Sequence, residues 1–210
     1  MQKFQLSSDE EASNLEYRYW LARALDEGGQ RQQAYNEFSA VADALKPDQK
    51  VAESLCDALF RRGRLRFEGQ VSGGSDWKGA QADFKRALDC APKRADIWVA
   101  YGDTFEVSEP TVALKHYSKA VALDPKLAVA YARRGFVLNR EGQARAARAD
   151  FESAIRLDKA IPEPHYHLCL ILQAEGAKGP ARRACEAYLE LAPSGEFAAS
   201  AREVKEALSR

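Results

Sequence analysis

A spacing of 34 residues recurs along this chain and constrains its fold more than any single residue. Gly29 and Gly63 stand 34 apart, as do Gly142 and Gly176, and Pro125, Lys159 and Pro193 mark turns at the same interval. Asp124 and Asp158 precede the first two of those turns. A period of this length is the signature of stacked helical hairpins, each too small to bury its apolar face alone. Such a stack is a platform for another molecule before it is anything else.

The clearest copy is 128–161. Tyr131, Gly135 and Leu138 occupy one helix, and Ala147, Phe151 and Ala154 the next. Spacings of three, four and seven keep each set on one helical face. Small residues at Gly135, Ala147 and Ala154 let two antiparallel helices approach, while the larger ones fill the space around them. Gly142, after Asn139-Arg140-Glu141, suits a helix end that needs a left-handed residue. These residues resemble the tetratricopeptide-repeat (TPR) family, with Arg134 departing where Leu is usual and Lys159 where Pro is usual. The resemblance implies an all-α TPR α-solenoid, a right-handed superhelix of antiparallel helix pairs.

The same phase carries outward in both directions. It gives a lead or helix extension over 1–14, with Ser8 as N-cap, then repeats over 15–48, 49–94, 95–127, 128–161 and 162–195, and a capping helix over 196–210. Together they make one continuous array. Pro47 sits one residue out of phase in the first repeat. In the second, Leu55, Cys56, Leu59 and Gly63 keep the beat, and about twelve extra residues fall within 64–75. Its first helix is expected to run to about Phe67, followed by a Gly/Ser loop. The third copy loses one residue near Pro110, which suits a second-helix first turn. Phe197, Ala201, Val204 and Leu208 form the apolar stripe of the capping helix.

Charge and composition remove several function classes. Thirty-one basic residues balance 31 acidic ones, which argues against a general nucleic-acid surface. No apolar run approaches the roughly 18 residues a membrane-spanning helix needs. The opening Met1–Leu6 lacks the apolar core of a secretory signal, and a cytoplasmic protein is expected. Cys56, Cys90, Cys169 and Cys185 form no CxxC pair, so reduced, buried thiols are expected.

Candidate chemistry is sparse. There is no phosphate loop, no GxSxG and no HExxH, so the expectation is no enzyme and no cofactor. His165, Cys169 and Cys185 invite a metal reading but lack a fourth ligand; a packed imidazole beside two thiols is the expectation. The run Arg61, Arg62, Arg64 and Arg66 fans around a helix without an aromatic ladder and reads as a solvated helix end. If the run has a use, an acidic protein partner is expected.

The resemblance directs attention to the groove lined by the first helices, where TPR proteins commonly dock peptides or partner helices. Carried over copy by copy, the partner-binding residues are Tyr19, Arg23, Asp57, Asp103, Glu106, Arg133, Phe136, Arg140, Tyr166, His167 and Leu170. Asp26, Glu53, Phe60 and Val99 fall on further lining sites. Any one of these has packing against the next repeat as its alternative. The chaperone-tail carboxylate clamp of the family needs Lys, Asn and Arg at set positions. The first three repeats place Tyr19, Arg23, Ser54, Asp96 and Ala100 there, and the later triplets place Asp57, Asp103 and Glu163, so no clamp is expected. The function expected is a non-catalytic scaffold or adaptor for a protein or peptide partner, of mixed charge. The alternatives are a self-associating module, pairing through 196–210 or 64–75 as a homodimer, and the regulatory domain of a larger enzyme.

Overall fold

The computed structural model describes residues 8–45, 53–71 and 73–209, with the side chains of residues 8–13, 53 and 54 left aside. Pro47, the capping role of Ser8, and the side chains of Glu53 and Ser54 lie outside what is described. Eleven helices account for the described chain: α1 (Ser8–Glu27), α2 (Arg31–Ala44), α3 (Glu53–Phe67), α4 (Trp77–Cys90), α5 (Ala95–Asp103), α6 (Pro110–Leu123), α7 (Ala128–Arg140), α8 (Ala144–Leu157), α9 (Pro162–Ala174), α10 (Lys178–Leu191) and α11 (Ala198–Ser209). No strand occurs among the described residues. The chain divides into two compact units, Met1–Thr104 and Phe105–Arg210.

In the first unit α1 packs on α2 and α3 on α4, and α2 and α4 in turn meet the next first helix. Ala22, Phe38, Ala58, Phe84, Ala87 and Ile97 form its core, each inaccessible to solvent. In the second unit α7 pairs with α8 and α9 with α10. Small-against-large packing is explicit there: a Cβ added at Gly135 would lie 2.8 Å from Phe151 Cε1. The close approach read from Gly135 and Phe151 is therefore the observed one.

Helix α7 ends as expected on Gly142, and α1 and α9 end likewise on Gly29 and Gly176, each at φ 76°. The Gly142 amide donates to the Asn139 carbonyl (3.0 Å) and the Gln143 amide to Leu138 (2.9 Å), so two orphan carbonyls are satisfied. Gly63, by contrast, does not end a helix. It lies inside α3, where an added Cβ would meet Phe84 Cε1 at 2.7 Å, and the left-handed end is supplied by Gly69 (φ 66°). Gly63 is thus the counterpart of Gly135, not of Gly29, and the 34-residue interval to Gly29 is a coincidence of two different glycine roles. The second repeat is shifted along its first helix accordingly.

Three further features shape the hairpins and their ends. Helix α5 has only 9 residues and stops at Asp103, where the Thr104 hydroxyl donates to the Tyr101 carbonyl (2.8 Å) and competes with helix continuation. The cysteines are not thiols: Cys56 is bonded to Cys90 and Cys169 to Cys185, each tying the two helices of one hairpin. Their Cα separations of 6.0 and 5.3 Å lie in the usual disulfide range. Finally, the stripe of α11 is internal. Ala201 is fully buried, and Phe197, Val204 and Leu208, partly buried, pack onto the core of α9 and α10.

Candidate partner-binding faces

Three of the four arginines of the α3 run are drawn inward. Arg61 donates to Asp57 (2.5 Å), Arg62 to Asp83 (2.9 and 2.6 Å) and Asp43 (2.6 Å), Arg64 to Glu68 (2.8 Å) and Arg66 to Asp83 (2.8 Å). Arg61, Arg62 and Arg66 thus form a structural network within the first unit, while Arg64 stays exposed and pairs only one turn along with Glu68. The chain therefore brings its Arg-rich segment to carboxylates three helices wide.

Of the predicted groove residues of the first unit, Tyr19 and Asp57 are brought together. Asp57 is buried and accepts from the Tyr19 hydroxyl (2.9 Å), from Arg61 and from Arg94. Burial alone would raise its pKa, but the hydrogen bonds from Arg94 and Arg61 outweigh that and hold the carboxyl below its ordinary range. Arg94 also reaches Asp96 (2.5 Å) and lies 5.0 Å from the Phe60 ring centroid. Arg23 donates to Glu27 (2.8 Å) and sits over the Trp20 ring, while Asp26 pairs with Arg31 (2.5 Å). Asp103 closes α5. The result is a face whose charges neutralise one another.

In the second unit the arrangement is aromatic. The Phe136 ring lies 4.7 Å from that of His167 and 5.4 Å from that of Phe151. His167 stacks on Phe151 at 5.6 Å and meets Phe197 at 5.7 Å. This burial lowers its pKa to about 4, so the ring is neutral near pH 7, and its Nδ1 has no hydrogen-bond partner among the described residues. Tyr166 is buried, stacked on Phe197 at 4.5 Å and hydrogen-bonded to Ser200 (2.9 Å). Glu106 accepts from the Tyr117 hydroxyl (3.2 Å), and Arg140 reaches both its carbonyl and its carboxylate. Arg133, Phe136 and Leu170 are half-buried, and Arg140 is exposed. Cys169 and Cys185, being joined, have no thiolate to offer a metal beside His165, whose Nε2 lies 3.3 Å from the Lys159 carbonyl.

Two residues central to these faces were not evident in the sequence. Arg94 comes from the turn before α5, outside any first-helix register, and Phe197 belonged to the capping stripe. The nearest signal was the pairing of Arg94 with Asp96 across one residue.

No protein-family model matches the chain, and no curated protein matches it. Solved structures do. It is similar to MamA (residue 41 to the end) from Desulfovibrio magneticus RS-1, at 18% identity over 87% of this chain and 97% of that one, TM-score 0.65. YrrB, described as a TPR protein with an unusual peptide-binding site, gives 18% identity over 89% and 90%, TM-score 0.62. TTC0263, a thermophilic TPR protein of Thermus thermophilus, gives 17% over 93% and 98%, TM-score 0.62. Paired helices, glycine-closed first helices and small-on-large hairpin contacts agree with those likenesses, and the chain has the all-α fold of the tetratricopeptide-repeat α-solenoids.

Proposed function

We propose that this chain is a non-catalytic interaction scaffold that binds a peptide or partner segment on its first-helix side, and that the α7–α9 face is where recognition is concentrated. The observation that carries this reading is the half-buried aromatic cluster of the second unit, since charged groups on both faces have partners, Arg140 reaching Glu106 as Asp57 takes Arg61 and Arg94. Around Asp57 the charges are mutually satisfied, which leaves little binding energy to offer. Along α7 and α9, partly open Phe136, His167 and Leu170 lie on elements that also carry Arg133 and Arg140. An aromatic floor with cations beside it suits an apolar side chain flanked by carboxylates. YrrB, with its peptide-binding site on a similar fold, supports a peptide ligand. Acids at Asp57, Asp96, Asp103 and Glu163 stand where a chaperone-tail carboxylate would need donors, which favours a ligand of another kind.

The test is a peptide-display selection with the purified chain, followed by titration of Arg133→Glu/Arg140→Glu. Binding of the selected peptide falls at least tenfold while circular dichroism and melting stay unchanged. Undiminished affinity in this variant rejects the face. Phe136→Ala is a poorer probe, because the ring supports Phe151 and His167 from inside the unit.

A further inference from the structure

The first helices carry a small residue at a common register, the one at which Gly63 and Gly135 meet Phe84 and Phe151: Ala22 in α1, Gly63 in α3, Gly102 in α5, Gly135 in α7 and Cys169 in α9. Five residues before it and two after it lie two positions that are buried in every later repeat. In α3 these are Ala58 (0% exposed) and Leu65 (2%); in α5, Ile97 (0%) and Thr104 (2%); in α7, Ala130 (0%) and Val137 (0%); in α9, Pro164 (buried) and Ile171 (5%). In α1 the same two positions are Tyr17, 68% exposed, and Ala24, also exposed. Trp20 at 56% and Leu21 at 37% flank them. The face that buries every other first helix is open on α1, and it is apolar.

We propose that this face is a homodimer contact, in which two copies pair α1 against α1 in antiparallel fashion about a two-fold axis near Leu21. Three observations favour a second copy as the occupant. The open surface continues the stacking interface that the repeats use internally, so it is already shaped for a helix. The exposed stripe Asn14–Tyr17–Leu21–Ala24–Gly28 is self-complementary when reversed: Leu21 meets its own mate, and Tyr17 meets the small Ala24 of the second copy. An isologous contact requires that property. Finally, the outward side of α11 carries Arg202, Glu203 and Glu206, all exposed, so head-to-tail stacking would bury charges against Trp20 and Tyr17. Tyr17, Trp20 and Leu21 offer on the order of 300 Å² per copy, below the usual standard-size interface, so a weak, reversible dimer is expected.

Sedimentation velocity of the full chain from about 1 to 100 µM tests it. A concentration-dependent monomer–dimer equilibrium is expected. Leu21→Arg and Ala24→Glu each weaken it at least tenfold with unchanged melting, and Glu203→Lys on α11 leaves it intact. Oxidation of Leu21→Cys yields a covalent dimer, whereas Tyr17→Cys does not, because its mate is Ala24. A chain that stays monomeric throughout overturns the proposal, as does a dimer indifferent to Leu21→Arg or lost in Glu203→Lys. Peptide binding through Arg133 and Arg140 is untouched by these variants, so this inference and the proposed function fail separately.

Discussion

The hairpins α3–α4 and α7–α8 are built on one plan. Each places an Arg-Gly pair on its first helix, Arg62-Gly63 and Arg134-Gly135, against an Asp-Phe pair on its second, Asp83-Phe84 and Asp150-Phe151. In both, the guanidinium grips the carboxylate with two nitrogens, at 2.9 and 2.6 Å in α3–α4 and 2.7 and 2.8 Å in α7–α8. The phenylalanine edge rests on the glycine. What differs is depth. The Arg62 and Asp83 side chains are 5% and 3% exposed, those of Arg134 and Asp150 23% and 8%. Asp83 also carries Arg66, and Arg62 also carries Asp43. Equal hydrogen bonds at unequal depth should not be equally important, because desolvation sets the cost of losing a partner.

The largest expected effect follows from that. Asp83→Ala leaves two guanidinium groups, one of them buried, without their shared carboxylate, and costs about 3–5 kcal/mol. Asp150→Ala leaves Arg134 near water, with Ser118 within 3.4 Å, and costs about 1–2 kcal/mol. Urea denaturation followed by circular dichroism reads both. Equal losses would break the argument that depth, and not pairing, separates the hairpins.

Both Arg-Gly and Asp-Phe pairs stood in the sequence, yet only the glycine and phenylalanine were legible. Period and residue size reveal helix packing, whereas an arginine in a leucine position reads as an irregularity until its carboxylate is seen across the hairpin. Gly63 shows the opposite failure. Glycine serves both for close contact and for a left-handed helix end, and spacing alone cannot separate the roles. The disulfides were invisible for a related reason, since their partners meet across antiparallel helices and leave no local Cys motif. Of the candidate site, the helices that bear Arg133, Phe136 and His167 were legible. That Tyr19 and Asp57 turn inward was not, because Arg94 arrives from a turn outside the repeat pattern.

The disulfide separates the two hairpins further, since α3–α4 has one and α7–α8 none. Cys56–Cys90 closes 34 residues and Cys169–Cys185 closes 16. On the chain-entropy model their removal costs about 4 and 3 kcal/mol respectively. Cys56→Ser/Cys90→Ser should therefore lower the denaturation midpoint of the first unit, and dithiothreitol should do so for both units. Mass spectrometry after iodoacetamide under denaturing conditions checks the bonds: no adduct forms before reduction and four form after it.

Acid should act on the α7–α8 side. Phe151 carries the half-buried His167 ring, whereas Phe84 packs beside Phe60 at 6.0 Å. The folded pKa of His167, about 4, lies below the ordinary value of 6.5. Between those values the unfolded chain holds more protons, so stability falls as pH drops through this window and is level below it. The loss is on the order of 2–3 kcal/mol. His167→Gln should flatten the dependence between pH 6.5 and 4.5. Asp57 acts in a different range: with its carboxyl held below the ordinary value, its contribution is lost only as pH falls through that lower pKa. A wild-type melting curve unchanged from pH 7 to 4.5 would remove the distinction.

The smallest effect is the sharpest test of common design. An added Cβ at Gly63 would lie 2.7 Å from Phe84 Cε1, and at Gly135 2.8 Å from Phe151 Cε1. Both are too close, and each ring edge must shift at a cost of about 1–3 kcal/mol. Alanine returns about 0.5–1 kcal/mol of helix preference over glycine, so each substitution should cost between about 0 and 2.5 kcal/mol net. Gly63→Ala and Gly135→Ala should therefore agree to within about 0.5 kcal/mol, whatever the difference between their ion pairs. In α1 the same site already holds Ala22, fully buried, and in α9 it holds Cys169; those helix pairs accommodate a Cβ that α3–α4 and α7–α8 exclude. If Gly63→Ala proves neutral while Gly135→Ala does not, the extra ion pairs of α3 leave its backbone free to yield, and the two hairpins share a pattern without sharing its tightness.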